Sequence, residues 1–277
     1  MPRIIAMDKE HIRYWRDPDL HSLEIRLSAN SAHSFPHHTH DCYTIGVMEQ
    51  GRCFVLGPGH GSIHIDPGQM CLINPGQVHS GIIMDTDARV TYRMFFVQNH
   101  WLRRMAGDLR DGRDALPEFH DLTAHTPVLS ARLQKLNALV HGHAEPLEKD
   151  AAMMQAMAGL FFAHGGIHRP RTGNEPAAVR RAREYLNDNL SHRVSLDTLA
   201  TVSGLSRYHF LRVFKKATGL PPHRFHLQCR VDRAKGLLLS GMSIAETAQE
   251  TGFADQSHFT HKFKLFTGAT PAQYVRG

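Results

Sequence analysis

Apolar and polar positions alternate along the first third of the chain. Leu23, Ile25 and Leu27 are separated by polar residues, the two-residue period of a half-buried strand. Turn formers interrupt this pattern at short intervals: Ser34-Phe-Pro36, Gln50-Gly51, Gly57-Pro-Gly59, Asp66-Pro-Gly68 and Asn74-Pro-Gly76. Short strands punctuated in this way predict a small antiparallel barrel or sandwich over residues 20 to about 97. Residues 89–97 read as its last long strand.

The period then lengthens. Val128, Leu129, Leu133, Leu136 and Val140 form a helical stripe after Pro127, and Met153, Met154, Met157, Leu160 and Phe161 form another after Pro146. Both predict amphipathic helices. Their apolar faces either cover the barrel or pair in part with a second subunit. Residues 166–176, polar and bounded by Gly and Pro, have no periodicity and read as a linker. The predicted organisation is a domain over 1–165, the linker, and a domain over 177–277.

The second domain repeats itself. Ser195 matches Ser243, Ala200 matches Ala248, and Gly204 matches Gly252. After a one-residue insertion in the second copy, Phe210 matches Phe259, Phe214 matches Phe263, and Thr218-Gly219 matches Thr267-Gly268. Each copy is predicted to be a helix-turn-helix, at about 195–219 and 243–268. Ser195, Ser206, Ser243 and Asp255 are the N-caps, and Gly204 and Gly252 make the turns. With the phenylalanines facing inward, Arg207, Tyr208, Leu211, Arg212 and Lys215 of the first copy are predicted to face outward. Gln256, Ser257, His258, His261 and Lys262 do so in the second. A helix from Pro222 to about Ser240 joins the copies. At ~1.5 Å per residue it spans roughly 28 Å, against a groove repeat of about 34 Å on one face of DNA.

Charge sharpens this picture. The whole chain carries +6, but residues from Pro176 onward hold 15 Lys and Arg against 7 Asp and Glu. The rest is therefore mildly acidic, so double-stranded DNA is expected to meet the C-terminal domain alone. Cys42, Cys53, Cys71 and Cys229 form no C-x-x-C pair and predict buried free thiols in a reduced compartment. No apolar run approaches the ~20 residues of a membrane helix. Met1 to His11 has no signal-peptide core. These features predict a cytoplasmic protein without membrane association.

Residues 176–277 resemble the DNA-binding region of the AraC/XylS family of transcriptional regulators. The resemblance lies in Ala200 to Ser206, Phe214-Lys-Lys-Ala-Thr-Gly219, Arg230 to Leu239, Ile244-Ala245 with Ala248 and Gly252-Phe253, and Gly268 to Pro271 with Tyr274 to Arg276. It implies DNA contacts for Tyr208, Leu211, Arg212, Gln256, Ser257, His258 and His261. Leu211 departs from the usual polar reader, and His261 stands where a longer basic residue is common. Residues 20–97 resemble, more loosely, the cupin barrels that serve as effector domains in this family. The fold class expected is therefore α+β and multidomain. It has a cupin-like β-barrel with flanking helices and an all-α domain of two helix-turn-helix units on a linker helix.

Among 22 histidines, His38 and His40 share one strand face, and His79 follows a turn that can bring it across the barrel. His38, His40, Tyr43, His79 and Arg93 are the candidate effector-binding residues, with Arg93 or a histidine suited to a carboxylate. The segment Arg13 to Arg16 either closes over them as an arm or packs outside. His38, His40 and His79 also form an alternative metal site, although the carboxylate that catalytic cupins add falls near Thr44 or Ile45. The expected protein is a sequence-specific regulator controlled by a small effector, without catalytic residues or cofactor. A homodimer is expected, and RNA polymerase is a further candidate partner. A metal-binding cupin enzyme or metal sensor, or a ligand-independent regulator, are the alternatives.

Overall fold

The computed structural model describes residues 9–57, 61–83, 88–109, 116–168 and 175–276. The chain divides into two compact units, one mainly of residues up to about 168 and one from 175 onward. Residues 169–174 of the expected linker lie outside the described residues.

The N-terminal unit holds β1 (His11–Arg16), β2 (Leu23–Ser31), β3 (Phe35–His38), β4 (Tyr43–Gln50), β5 (Cys53–Gly57), β6 (Gly61–Ile65), β7 (Met70–Ile73), β8 (His79–Ile82), β9 (Val90–Val97) and β10 (Thr123–Ala124). Three helices accompany them: α1 (Asn99–Leu109), α2 (Pro127–His141) and α3 (Pro146–His164). The strands form a six-stranded sheet, ordered β1-β2-β9-β4-β7-β10, and a four-stranded sheet, ordered β3-β8-β5-β6. Among the described residues every strand pairing is antiparallel.

Register decides what each face of the large sheet carries. Ile25 pairs with Phe95, Phe95 with Ile45, and Ile45 with Leu72, giving a row of fully buried residues. Tyr43 shares their parity, and its ring meets Phe119 and Phe161 of α3 edge-on. The neighbouring row, Arg26, Met94, Gly46 and Cys71, has the opposite parity and faces a cavity. Buried Lys149 of α3 ties that helix to the β1–β2 turn, with Nζ at 2.7 Å from Asp17 and 3.0 Å from Asp19.

Of the two readings of Arg13 to Arg16, the arm is excluded: the segment lies in β1, an edge strand paired along its length with β2. Two expectations need correction here. Val128 is 63% exposed, because α2 buries the narrower stripe of Leu129, Leu133 and Leu136. And α3 is not amphipathic: Ala151, Met153, Ala156, Ala158, Leu160 and Phe161 are all buried, so small residues as well as large ones are enclosed around its circumference.

The C-terminal unit is helical: α4 (Pro176–Asp188), α5 (Leu196–Ser203), α6 (Arg207–Thr218), α7 (Pro222–Leu239), α8 (Ile244–Glu250), α9 (Gln256–Thr267) and α10 (Pro271–Arg276). The four expected N-caps are formed. Ser195, Ser206, Ser243 and Asp255 each accept a backbone N–H three residues on. Thr218 and Thr267 close α6 and α9 in the same way, each hydroxyl donating to the carbonyl four residues back. Gly219 and Gly268 follow in the left-handed region.

The duplication reaches one helix further upstream than the motifs suggest. Val179, Ala182 and Leu186 of α4 hold the inward positions that Val231, Ala234 and Leu238 hold in α7. In each case an arginine of that helix secures the end of the next. Arg181 Nε donates to Val202 O at 2.9 Å, and Arg230 Nε donates to Thr251 O at 2.7 Å. The repeating unit is thus a three-helix bundle.

The two turn glycines are not equivalent. A Cβ on Gly204, at φ +70°, meets nothing closer than an Arg181 nitrogen at 3.6 Å, whereas one on Gly252, at φ +74°, comes within 2.6 Å of the Ser191 backbone. Gly204→Ala is expected to destabilise by about 1–2 kcal/mol through left-handed backbone alone. Gly252→Ala is expected to destabilise by about 3 kcal/mol or more, since backbone must also move. Equal melting temperatures for the two variants would contradict this.

His226 of α7 is buried, with Nε2–H donating to Asn189 O at 3.2 Å. Burial, then the Arg230 cation, lowers its pKa to about 4. Its unfolded value, near 6.5, is higher, so unfolding takes up a proton between those values. Its contribution is complete above about pH 6.5 and is lost as pH falls toward 4, by roughly 1.4 kcal/mol per unit. In denaturant titrations at pH 7 and pH 5, His226→Gln should lose less stability on acidification than the parent chain.

Candidate nucleic-acid interface and effector cavity

Helix α6 buries Arg207, Phe210, Leu211, Val213 and Phe214. Its open side carries Tyr208 and Arg212, both partly exposed, and Lys215 and Lys216, both exposed. The Arg212 guanidinium lies 5.5 Å from the Tyr208 ring centre, so the two form one cation–π surface. Helix α9 buries Phe259 and Phe263. Ser257, His261, Lys264 and Leu265 are exposed at the positions matching Tyr208, Arg212, Lys215 and Lys216. Gln256 is exposed as well, at the first turn. His258 is half-buried edge-on against Phe253, with its pKa lowered chiefly by burial, and Lys262 is partly buried. Backbone N–H groups at the start of each helix add a partial positive charge suited to phosphate.

The N-terminal unit encloses a cavity of about 110 Å³ walled by both sheets. Its walls are largely apolar, with Phe35, Val55, Tyr92, Met94 and Phe96 among them. Polar groups concentrate at two places. Arg26 projects from β2 with its guanidinium 5.1 Å from the Phe35 ring centre. Its Nε is buried without a hydrogen-bond partner among the described residues. His38, His40 and His79 form the second group, with ligand atoms within 4.8 Å of one another. Burial, then His79 and His38, lowers His40 to about 4; burial also lowers His79. Both are therefore uncharged at neutral pH. Cys53 and Cys71 also line the cavity and are raised by burial to about 12 and about 11, so they remain thiols.

Comparison with known proteins bears on both sites. The profile of the AraC-like ligand binding domain matches residues 22–157, and that of a helix-turn-helix domain matches residues 199–277. An uncharacterized HTH-type transcriptional regulator of Bacillus subtilis, YbfI, is 31% identical over 243 residues, covering 87% of each chain. The HTH-type transcriptional activator RhaS of an Enterobacter species is 26% identical over 253 residues, covering 88% of each chain. This chain belongs to the AraC family. It is a transcriptional regulator with an N-terminal ligand-binding domain and a C-terminal helix-turn-helix DNA-binding domain.

Four expected site residues in this AraC-family regulator take other positions. Arg207 and Leu211 are buried rather than outward, at 7% and 5% exposure. Together with Phe210 and Phe214 they complete a stripe at i, i+3, i+4 and i+7, and Arg207 lies 3.6 Å from Asp197 of the preceding helix. Tyr43 is fully buried on the sheet face away from the cavity, its hydroxyl donating to the Pro117 carbonyl. Arg93 shares that parity and is ion-paired with Glu49 at 3.0 Å. The cavity's cation is Arg26, on β2. Lys216 and Lys264 are exposed basic residues that motif reading missed; matching the second copy to the first position by position would have found Lys264. His38, His40 and His79 are brought together as expected.

Gly46 makes the cavity floor possible: a Cβ there would lie 2.5 Å from Cys71 Sγ and 2.8 Å from Met94 Sδ. Gly46→Ala is expected to destabilise the N-terminal domain by about 1–3 kcal/mol through overpacking. Pairing it with Cys71→Ala should recover part of that loss in a thermal double-mutant cycle. Strict additivity would show that the sulfur contact is not the cause.

Proposed function

We propose that this AraC-family regulator reads DNA through the open faces of α6 and α9 and is controlled by a small effector held in the cavity of its N-terminal domain. One observation carries the first part. The two helices expose residues at the same four positions, Tyr208, Arg212, Lys215 and Lys216 in one and Ser257, His261, Lys264 and Leu265 in the other. Gln256 joins the second set. Arg212 suits guanine edges, Gln256 suits adenine edges, and Ser257 can serve a base or a phosphate. The lysines neutralise phosphates.

The effector reading rests on the cavity's lining. Its apolar walls, with Arg26 and three imidazoles at polar points, suit a small, largely apolar molecule with an anionic or polar end. Binding would act by favouring one arrangement of the protein over another. The regulator works as a cytoplasmic homodimer, with the exposed Val128 side of α2 supporting a role in subunit pairing, and it engages RNA polymerase at its promoters. No catalytic step is assigned to it.

Arg212→Ala should weaken operator binding by about 1–3 kcal/mol, roughly 5- to 160-fold, with little change in melting temperature. Leu211→Ala should instead destabilise the DNA-binding domain by about 2–5 kcal/mol, as a core truncation does. Lys216→Ala should lower the salt slope of binding by about one. Gel-shift titrations over a salt series, paired with thermal melts, separate these outcomes. An Arg212→Ala protein with unchanged operator affinity would remove α6's open face from the reading.

A further inference from the structure

The three cavity histidines have more structure than a polar patch requires. His38 and His79 are direct cross-strand partners on β3 and β8, and His40 follows His38 two residues on, in the loop after β3. The ring centroids lie 4.8 Å apart for His38 and His40, 4.3 Å for His38 and His79, and 5.1 Å for His40 and His79. An ion bound at ~2.1 Å from three imidazole nitrogens holds the ring centres ~4.5–5.2 Å apart when the ligands meet at octahedral or tetrahedral angles. The rings stand close to that separation already.

Hydrogen bonding supplies an independent sign. His38 Nδ1 lies 2.8 Å from the Pro36 carbonyl, and His79 Nδ1 lies 3.0 Å from the Gln77 carbonyl. A carbonyl oxygen only accepts, so both rings donate from Nδ1, which leaves Nε2 as the atom that can serve as a ligand. A backbone carbonyl that orients the ring and selects its tautomer is how metal-binding histidines are generally held.

We propose that His38, His40 and His79 bind one divalent transition metal ion of the zinc class. Neutral imidazoles suit such an ion and do not suit magnesium or calcium. No carboxylate joins the cluster among the described residues, which leaves three protein ligands and an open coordination position, unlike a closed structural site. All three histidines line the cavity, so the open position is within reach of a molecule bound there. The site rests on the effector reading only for that last consequence, and the ion itself is tested without DNA or organic effector.

The full-length protein, stripped with chelator, is titrated with Zn²⁺ by calorimetry and with Co²⁺ by visible absorption. One tight equivalent is expected, with d–d bands of a low-coordinate nitrogen site and a melting temperature raised by Zn²⁺. His38→Ala and His40→Ala, at partly exposed positions, should each weaken this binding about 100-fold or more, since removing an outer partner alone weakens such sites 10- to 100-fold. His79→Gln is the third variant, and metal-free melts show whether each chain folds. His141→Ala/His143→Ala controls for binding by other histidines and should leave the tight equivalent intact. No stoichiometric binding by the parent chain, or tight binding that survives His38→Ala/His40→Ala, would overturn the site. Either result would leave the apolar cavity and Arg26 as the basis for effector binding.

Discussion

Two phenylalanines one turn apart, buried in each recognition helix, set the orientation on which the DNA-binding unit depends. Phe210 and Phe214 are fully buried in α6, and Phe259 and Phe263 in α9. Enclosing each ring contributes about 1.5–3 kcal/mol, far more than an exposed ion pair. The rotation of each helix about its axis is therefore decided by its core side. The open faces follow from it: a helix rolled to bury Tyr208 and Arg212 would have to expose Phe210 or Phe214. The caps and glycines act on the same geometry, because Ser206 and Asp255 start the helices, and Gly204 and Gly252 aim them.

The N-terminal domain depends on a comparable constraint, the two-residue period of its large sheet. Ile25, Phe95, Ile45 and Leu72 bury one face; Arg26, Met94, Gly46 and Cys71 wall the cavity from the other. A shift of one residue exchanges the two sets. That is why Arg93, one residue from Met94, is paired with Glu49 away from the cavity, and why Arg26 takes the place expected of it. Gly46 leaves room for two sulfur atoms, and the small sheet brings His79 opposite His38. Cavity chemistry in this fold is thus written by register, with buried thiols and neutral imidazoles kept uncharged by the same desolvation that stabilises the core.

Most of the architecture was legible from local signals. Turn residues bounded the short strands, and the last long strand, expected at 89–97, is β9 at Val90–Val97. Every predicted N-cap of the two helix-turn-helix units forms, and so does the one-residue insertion before Asp255. These features are legible because caps, turns and left-handed glycines are satisfied within a few residues of themselves. The burial of Arg207 and Leu211 is not legible locally, because a long or apolar side chain beside two phenylalanines can lie on either side of the stripe. Only the neighbouring helix, with Asp197, decides the matter. The upstream reach of the duplication was hidden because α4 and α7 share burial positions and arginine capping without sharing a motif.

The amino-acid sequence alone determined the two-domain order, the basic tail, the duplicated helix-turn-helix and the histidine set of the barrel. Each is carried by spacing, charge or capping within a short window. Only the tertiary structure decided which arginine meets the cavity, which side of α6 is open, and that three histidines from two strands and a loop converge. Those outcomes depend on strand register and helix rotation, which are settled by contacts between segments far apart in the chain.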